Sequence, residues 1–120
     1  MIKIEATASN ILKVTPTETL KTDDFRQIAR QIDAVIRQQG KIRILVDATH
    51  FNGWENMEAF EKHMGFIKSH HKSIERGAIL AGHAWQHWLA GVIRLFVHPQ
   101  IRAFDKNQQA EAEQWIGAGQ

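Results

Sequence analysis

The chain of 120 residues contains no cysteine and no tyrosine, only two prolines, and no long uninterrupted apolar run. The absence of cysteine excludes disulfide scaffolds, thiolate metal sites and cysteine nucleophiles. Apolar runs are only a few residues long, far short of the roughly 20 that a membrane-spanning helix needs. The start of the chain alternates apolar with polar residues, which argues against a signal peptide. With a net charge of +2 and 43% hydrophobic residues, residues 1–120 are expected to form one globular cytoplasmic domain.

Hydrophobic periodicity predicts five strands and four helices in the order β-β-α-β-α-β-α-β-α. The predicted strands are Met1–Glu5, Ile11–Thr15, Lys41–Asp47, Ile74–Gly82 and Ile101–Phe104. The predicted helices are Thr22–Gln39, a segment that starts between Asn52 and Asn56 and fades near His70 and His71, Trp85–Phe96, and a last helix from Asp105 through Ile116. Residues 117–120 are expected to form a frayed tail.

Sequence signals mark several helix ends. Thr22 is placed to cap the first helix, and Gly40 can take the left-handed conformation just past its end. Asn52 and Asp105 are each followed three residues later by a glutamate or glutamine, which is the pattern of a capping box.

The third predicted strand, KIRILVD, alternates apolar and polar side chains. Its residues Ile42, Ile44 and Val46 would share one face, with Arg43 and Asp47 on the other. A parallel sheet covered on both faces normally has strands that are apolar throughout. We therefore expect an α/β fold in which all four helices pack on one face of a five-stranded, mostly parallel sheet. The opposite face would be partly solvated, or available to a partner such as a second copy of the chain.

With this element order, the segments KIRILVD, FNGW, AGHAWQHW and RAFDKNQQAEAEQWI resemble the bacterial SpoIIAA-like family, whose fold is related to STAS and CRAL-TRIO domains. The resemblance covers essentially the whole chain. It implies a SpoIIAA-like βα superhelix, and it carries more information about fold than about function.

The resemblance also indicates where a regulatory switch would lie. Anti-sigma-factor antagonists share the fold, and after their third strand they carry an Asp-Ser-Ser-Gly-like motif whose serine is phosphorylated to break binding to a partner kinase. The matching stretch here, residues 50–54, keeps Gly53 but has no hydroxyl beside it. Thr49 is the nearest candidate for phosphorylation, and an ordinary turn hydroxyl is the simpler interpretation.

Two loops are expected at the carboxyl edge of the sheet, where open α/β sheets usually bind ligands. The residues predicted to form this ligand- or partner-binding rim are Asp47, Thr49, Asn52, Gly53, Trp54, Gly82, His83, Trp85 and Trp88. The structural alternative is that Asp47 ends a strand with a local hydrogen bond, Gly53 permits a turn, and the tryptophans fill the core.

Histidines and basic residues are concentrated in one part of the chain. Residues 62–104 contain six of the seven histidines, and six Lys and Arg against one Glu give this segment a net charge of +5. His83 and His87 have the spacing of a helical zinc site, but Ala84 stands where a metalloprotease needs glutamate. No metal or other cofactor is therefore predicted. The basic segment could meet an acidic protein or an anionic lipid surface, or it could simply be a solvated face.

The sequence contains no phosphate-binding glycine loop and no GxSxG motif, so an enzyme is not expected. The first interpretation is a non-catalytic binding or regulatory module that contacts an unknown protein through the rim. The alternative is a small-molecule or lipid carrier, or a peripheral membrane-binding module, suggested by the CRAL-TRIO relationship, Trp85, Trp88 and the basic segment. Nucleic acid is not an expected partner, because the overall charge is low.

Overall fold

The computed structural model describes residues 2–8, 10–82 and 100–118. The strands in these ranges are β1 (Ile2–Ala8), β2 (Ile11–Pro16), β3 (Glu18–Leu20), β4 (Ile42–Asp47), β5 (Phe51–Trp54), β6 (Ile74–Ala81) and β7 (Gln100–Asp105). The α-helices are α1 (Asp24–Gln39), α2 (Met57–His70) and α3 (Gln109–Gly117), and a short 3-10 turn, His71–Ser73, follows α2. The helix predicted over Trp85–Phe96 lies outside the described residues.

Five of the strands form one sheet in the order β1-β2-β4-β6-β7. β1 runs antiparallel to β2, as the predicted hairpin requires, whereas the β2–β4, β4–β6 and β6–β7 pairs are parallel. The five strands are those predicted, but the sheet is mixed rather than mostly parallel, because its edge strand β1 reverses direction.

A second, smaller sheet was not predicted. β3 and β5 pair in parallel, and the backbone N–H of Glu55 donates to the carbonyl of Leu20 across 2.7 Å. Asn52 therefore lies in a strand, and its predicted role as a helix cap is wrong. Asn56 takes that role instead, since its side-chain Oδ1 accepts the backbone N–H of Ala59 at 2.9 Å at the start of α2.

The helices lie on both faces of the sheet, so the prediction of four helices on one face is wrong. On one side, Ile28 and Ile32 of α1 pack in a core with Ile42 of β4 and Phe66 of α2. On the other side, Ala112 and Ile116 of α3 pack in a second core with Leu45 of β4 and with Ala78 and Leu80 of β6. Successive residues of β4 therefore enter opposite cores, as the pleat of a strand requires.

The prediction failed at Arg43, which was assigned to a solvated face. Its side chain is only 4% exposed, and its Nη1 donates to the carbonyl oxygens of Ile116, at 2.9 Å, and Ala118. Its Nε lies 3.3 Å from a carboxylate oxygen of Glu75. The last carbonyls of a helix have no partner within the helix and carry the negative end of its dipole. The arginine therefore binds the end of α3 instead of facing water.

Arg76 supports the same attachment from β6. Its Nη1 donates to the carbonyl of Trp115 at 2.8 Å, and its guanidinium lies 5.1 Å from the centre of the Trp115 ring. α3 thus covers β4, β6 and β7, so the sheet face that was expected to be solvated or available to a partner, such as a second copy of the chain, is covered there. At the edge of the sheet, Lys3 and Glu5 of β1 form an exposed ion pair.

The predicted helix ends are confirmed in part. Gly40 has φ 82°, and its N–H donates to the carbonyl of Ile36 at 2.7 Å, as expected for a glycine that ends a helix. At α1 the predicted cap Thr22 is wrong, because the N-cap position is Asp23 and no side chain caps the helix there; the Asp24 carboxylate instead accepts the N–H of Lys21, before the helix, at 2.9 Å. At α3 half of the predicted capping box is present, since Gln108 Oε1 accepts the N–H of Asp105 at 2.9 Å.

Within the described ranges, none of the helices has the length and apolar character that crossing a bilayer demands.

The role of Arg43 predicts a large effect of its removal. Arg43→Met keeps the aliphatic stem but leaves buried carbonyls without a donor, and we expect the free energy of unfolding to fall by about 3 kcal/mol. Arg102→Met is the matched control, because Arg102 is exposed and lies over the ring of Phe104; it should cost less than about 1 kcal/mol. Urea unfolding measures both, and equal losses would contradict the role assigned to Arg43.

Candidate functional site

The ends of β4 and β6 lie side by side at one edge of the sheet. Asp47 at the end of β4 is in register with Leu80 of β6, and the next backbone N–H, of Ala48, donates to the Leu80 carbonyl at 2.8 Å. Gly82 directly follows β6. The structure therefore brings the predicted residues Asp47 and Gly82 to the same edge, whereas His83, Trp85 and Trp88 lie outside the described residues.

Asp47 organises the turn after β4. Its Oδ1 accepts the backbone N–H of Thr49 at 3.1 Å and the hydroxyl of Thr49 at 2.6 Å. These bonds form a local turn of the kind that Asp commonly makes two residues ahead of itself. A phosphate on Thr49 would place its negative charge directly against this carboxylate, which is unfavourable. The geometry favours the interpretation of Thr49 as a turn hydroxyl.

The backbone of β5 depends on Gly53. This residue is buried and has φ 101°, a conformation that a side chain with a Cβ rarely adopts. The turn directs Trp54 inward, where its ring makes edge-to-face contacts with Phe51, at 5.0 Å between centroids, and with Phe60, at 4.9 Å. Trp54 is therefore a packing residue that fixes β5 to α2. β5 also contains Asn52.

Glu18 is a residue at this edge that the sequence did not indicate. It is exposed and has φ 60°, a left-handed conformation that is uncommon for glutamate. Its N–H donates to the carbonyl of His50 at 3.2 Å, which connects β3 to the loop after β4. No sequence signal marks this backbone conformation, because such positions usually hold glycine, asparagine or aspartate.

Several residues between the end of β4 and the first turn of α2 have exposed side chains. His50 and Glu55 are exposed, and Met57 is 67% exposed although its spacing to Phe60 places it on the predicted apolar stripe. Met57 is the first residue of α2 and projects beyond the core, so the buried part of the apolar stripe begins after it. We define the rim as residues 47–57 together with Gly82.

An apolar cavity of about 180 Å³ lies between the main sheet, the helices α1 and α2, and the small β3–β5 sheet. Phe51 and Trp54 of the rim form part of its wall, with Val46 from β4 and with His63 and Phe66 from α2. Sequence reasoning did not find this cavity. Periodicity indicates which residues face the core but not how completely they fill it.

His63 is the basic side chain of the cavity wall, and it is only 7% exposed. Burial lowers its pKa below the ordinary value of 6.5, and this effect outweighs the opposing influence of the Lys21 carbonyl and the Asp24 charge. The Nε2 atom lies 3.4 Å from the carbonyl oxygen of Lys21, and since a carbonyl oxygen only accepts, a hydrogen bond between them requires the proton on Nε2. The cavity wall therefore presents a neutral imidazole.

The histidines and basic residues of segment 62–104 do not form a common site in the part of the chain that the structure describes. Of the seven histidines, His50 and His63 have described side chains, and no set of three metal-ligating side chains occurs in the part of the chain that the structure describes. Lys62 is exposed on α2, whereas Arg76 and Arg102 lie over aromatic rings on the α3 side of the sheet. The described members of the basic segment do not form one continuous face.

The left-handed conformation of Gly53 predicts opposite effects of one substitution at two glycines. Gly53→Ala should lower the free energy of unfolding by at least about 1 kcal/mol, because alanine is strained at this φ. Gly65→Ala is the matched control, since Gly65 is exposed within α2 and an added Cβ meets no atom within 4 Å. It should raise stability by roughly 0.5–1 kcal/mol. Urea unfolding tests both, and a stabilising Gly53→Ala would contradict the assigned geometry.

The lowered pKa of His63 predicts a loss of stability in mild acid. Because its pKa is lower in the folded than in the unfolded chain, the unfolded chain binds a proton more readily below pH 6.5. The stabilising effect is complete above that pH and declines as the pH falls towards the folded-state pKa. The free energy of unfolding, measured by urea titration between about pH 7.5 and about pH 5.5, should therefore fall less steeply in His63→Gln than in the wild type.

His50→Gln is the control for this measurement, because it removes an exposed histidine of the rim and leaves the buried His63 in place. If the two variants gave the same slope, burial of His63 would not control the pH dependence.

Comparison with known proteins gives one family and several solved structures. The family model described as SpoIIAA-like matches residues 11–117, and no curated protein matches the chain. An uncharacterised protein of the DUF3478 family from Shewanella loihica PV-4, with a SpoIIAA-like fold, is 21% identical at a TM-score of 0.79; the match covers 97% of this chain and 92% of that one.

Two further matches are structures of SpoIIAA itself. The anti-sigma factor antagonist SpoIIAA in its unphosphorylated form is 11% identical, with a TM-score of 0.66 and coverage of 95% of this chain and 98% of that one. The Bacillus cell fate determinant SpoIIAA in its phosphorylated form is 10% identical, with a TM-score of 0.59 and coverage of 92% and 97%. At these identities the likeness shows a shared fold.

Proposed function

The chain belongs to the SpoIIAA-like family, and on that premise we propose that it is a single-domain binding or regulatory module that acts through protein contacts and catalyses no reaction. The anti-sigma factor antagonist with the same fold is named for its action on another protein. The coarse assignment is supported by that shared fold over nearly the whole chain. The finer assignment, to a particular surface, is supported by the rim.

The exposure of Met57 carries the assignment of the rim as the contact surface. A methionine that is 67% exposed at the first position of a helix adds little to the stability of the isolated chain. Flexible, polarizable methionine side chains are frequent at surfaces that bind other proteins. The exposed Glu55 precedes Met57 and the exposed Glu58 follows it, so polar side chains adjoin the apolar one along the chain, as polar residues surround the centre of a typical binding patch.

Hydrogen bonds and ring contacts within the rim, and one hydrogen bond from Glu18 beside it, fix the backbone around Met57. Asp47 and Thr49 close the turn after β4, Glu18 holds the carbonyl of His50, and Gly53 with Trp54 fixes β5. A surface that is ordered before binding loses less conformational entropy when a partner docks. The side chains of Asp47, Thr49 and Trp54 are engaged in these internal contacts. The rim is therefore proposed to recognise a partner and to carry out no covalent chemistry. Gly82, and the residues His83, Trp85 and Trp88 that follow it in the sequence, belong to the same proposal.

Site-specific photocrosslinking in the native host tests this surface. A photoreactive amino acid at position 57 should trap one or a few proteins, and the same amino acid at Lys41 is the matched control. Lys41 is exposed at the opposite edge of the sheet, just before β4. The partner trapped from position 57 is then purified, and its affinity for the wild type is measured.

Met57→Asp should weaken that affinity at least about tenfold, because a charge replaces the centre of the patch. Lys41→Asp should leave the affinity within about twofold, since single exposed charges outside an interface contribute little. Equal crosslinking from both positions, or an unchanged affinity for Met57→Asp, would show that the rim is not the contact surface.

A further inference from the structure

We propose that the cavity beneath the rim is a binding site for a small neutral aromatic molecule with one ring or two fused rings. This inference goes beyond the proposed protein contact and does not depend on it, because the cavity is lined by core side chains and not by the exposed residues of the rim. It rests on the size of the cavity, on the chemistry of its wall and on its position between the sheet and α2.

The size of the cavity selects the size of the molecule. Its volume is about 180 Å³, whereas folded interiors normally contain few voids larger than a water molecule. An engineered cavity of about 150 Å³ with walls of Leu, Ile and Phe stays dry and binds benzene. A substituted benzene or an indole, with roughly 7 to 9 heavy atoms, matches the present volume. A long lipid tail does not match this volume. The proposed ligand therefore differs from the lipid that the alternative interpretation of the sequence, a lipid carrier, would bind.

The wall selects a neutral molecule. Its described residues are aliphatic and aromatic apart from His63, whose lowered pKa keeps the imidazole uncharged. No lysine or arginine belongs to the described part of this wall, so a carboxylate or phosphate would be buried without a cation, which is costly. The ring of a ligand can contact the rings of Phe51, Trp54 and Phe66, which line the space, and aromatic pairs add to the gain from burial.

An occupant of this cavity would add to the stability of the fold. A ring that touches the lining side chains gains dispersion contacts with them. The surrounding core is built from fully or nearly fully buried residues, such as Ile32 and Ile42, so the space is not a general looseness of packing. An occupant makes those contacts, and ligand binding to the folded chain raises its stability.

The position of the cavity connects an occupant to the rim. Phe51 and Trp54 belong both to β5 and to the cavity wall, and Trp54 also contacts Phe60 of α2. A ring bound in the cavity against Phe51 and Trp54 would therefore contact two side chains of the rim.

Titration with toluene, followed by ¹⁵N–¹H NMR of the full chain, tests the proposal. Each of the four tryptophans gives one indole N–H signal, and the signal lost in Trp54→Phe identifies Trp54. Toluene should shift that signal saturably, with a dissociation constant of roughly 1 mM or tighter, and should raise the melting temperature. Octanoate is the second probe, because it offers a similar apolar volume with a carboxylate.

Two cavity-filling variants make the test specific. Val46→Phe and the milder Val46→Leu occupy part of the space, so we expect toluene affinity to fall at least about tenfold and about threefold, respectively. Ile116→Leu in the core under α3 is the matched control and should bind toluene like the wild type. If Val46→Phe does not fold, Val46→Leu alone decides.

The proposal is overturned if toluene produces no saturable shift of the Trp54 signal, if octanoate binds more tightly than toluene, or if the Val46 variants bind toluene as the wild type does. The failure of this experiment would leave the proposed rim contact intact, because the crosslinking test involves no ligand.

Discussion

The buried guanidinium of Arg43 is the interaction on which the two-sided architecture depends. A charged group in the interior is tolerated only if its hydrogen-bond donors find partners, and here the partners are the final carbonyls of α3 and the carboxylate of Glu75. The negative end of the α3 dipole and the positive side chain therefore stabilise each other. With Arg76 bound to the same helix end, α3 is attached to the middle of the sheet at two neighbouring strands.

This attachment explains why local patterns predicted the elements but not their arrangement. Each of the five predicted strands and both helix boundaries near Gly40 and Asp105 are present within a few residues, because alternation and capping are properties of short segments. The face that a helix covers depends on contacts distant in sequence. Arg43 and Ile116 are 73 residues apart. A polar residue in an alternating strand predicts a solvent-facing side chain whether that side chain contacts water or the end of a helix.

The rim was predictable in position but not in detail. The end of β4 follows from the strand pattern, so Asp47 could be placed at the carboxyl edge, whereas Gly53 was expected in a loop and lies in β5. The pairing of β3 with β5 could not, since these strands have three and four residues and too little periodicity to be recognised. The exposure of Met57 and the cavity beneath Trp54 result from how elements meet in space, and one sequence holds no direct record of that packing.

The hydrogen bond from Arg43 to the carbonyl of Ala118 also bears on how the chain matures during synthesis. A nascent polypeptide emerges from the ribosome amino end first, and domains generally fold as units. While residues 115–118 are still within the exit tunnel, the guanidinium on β4 has none of its α3 acceptors, and Leu45, Ala78 and Leu80 lack their packing against Ile116. Native packing of this core must therefore await the emergence of that segment.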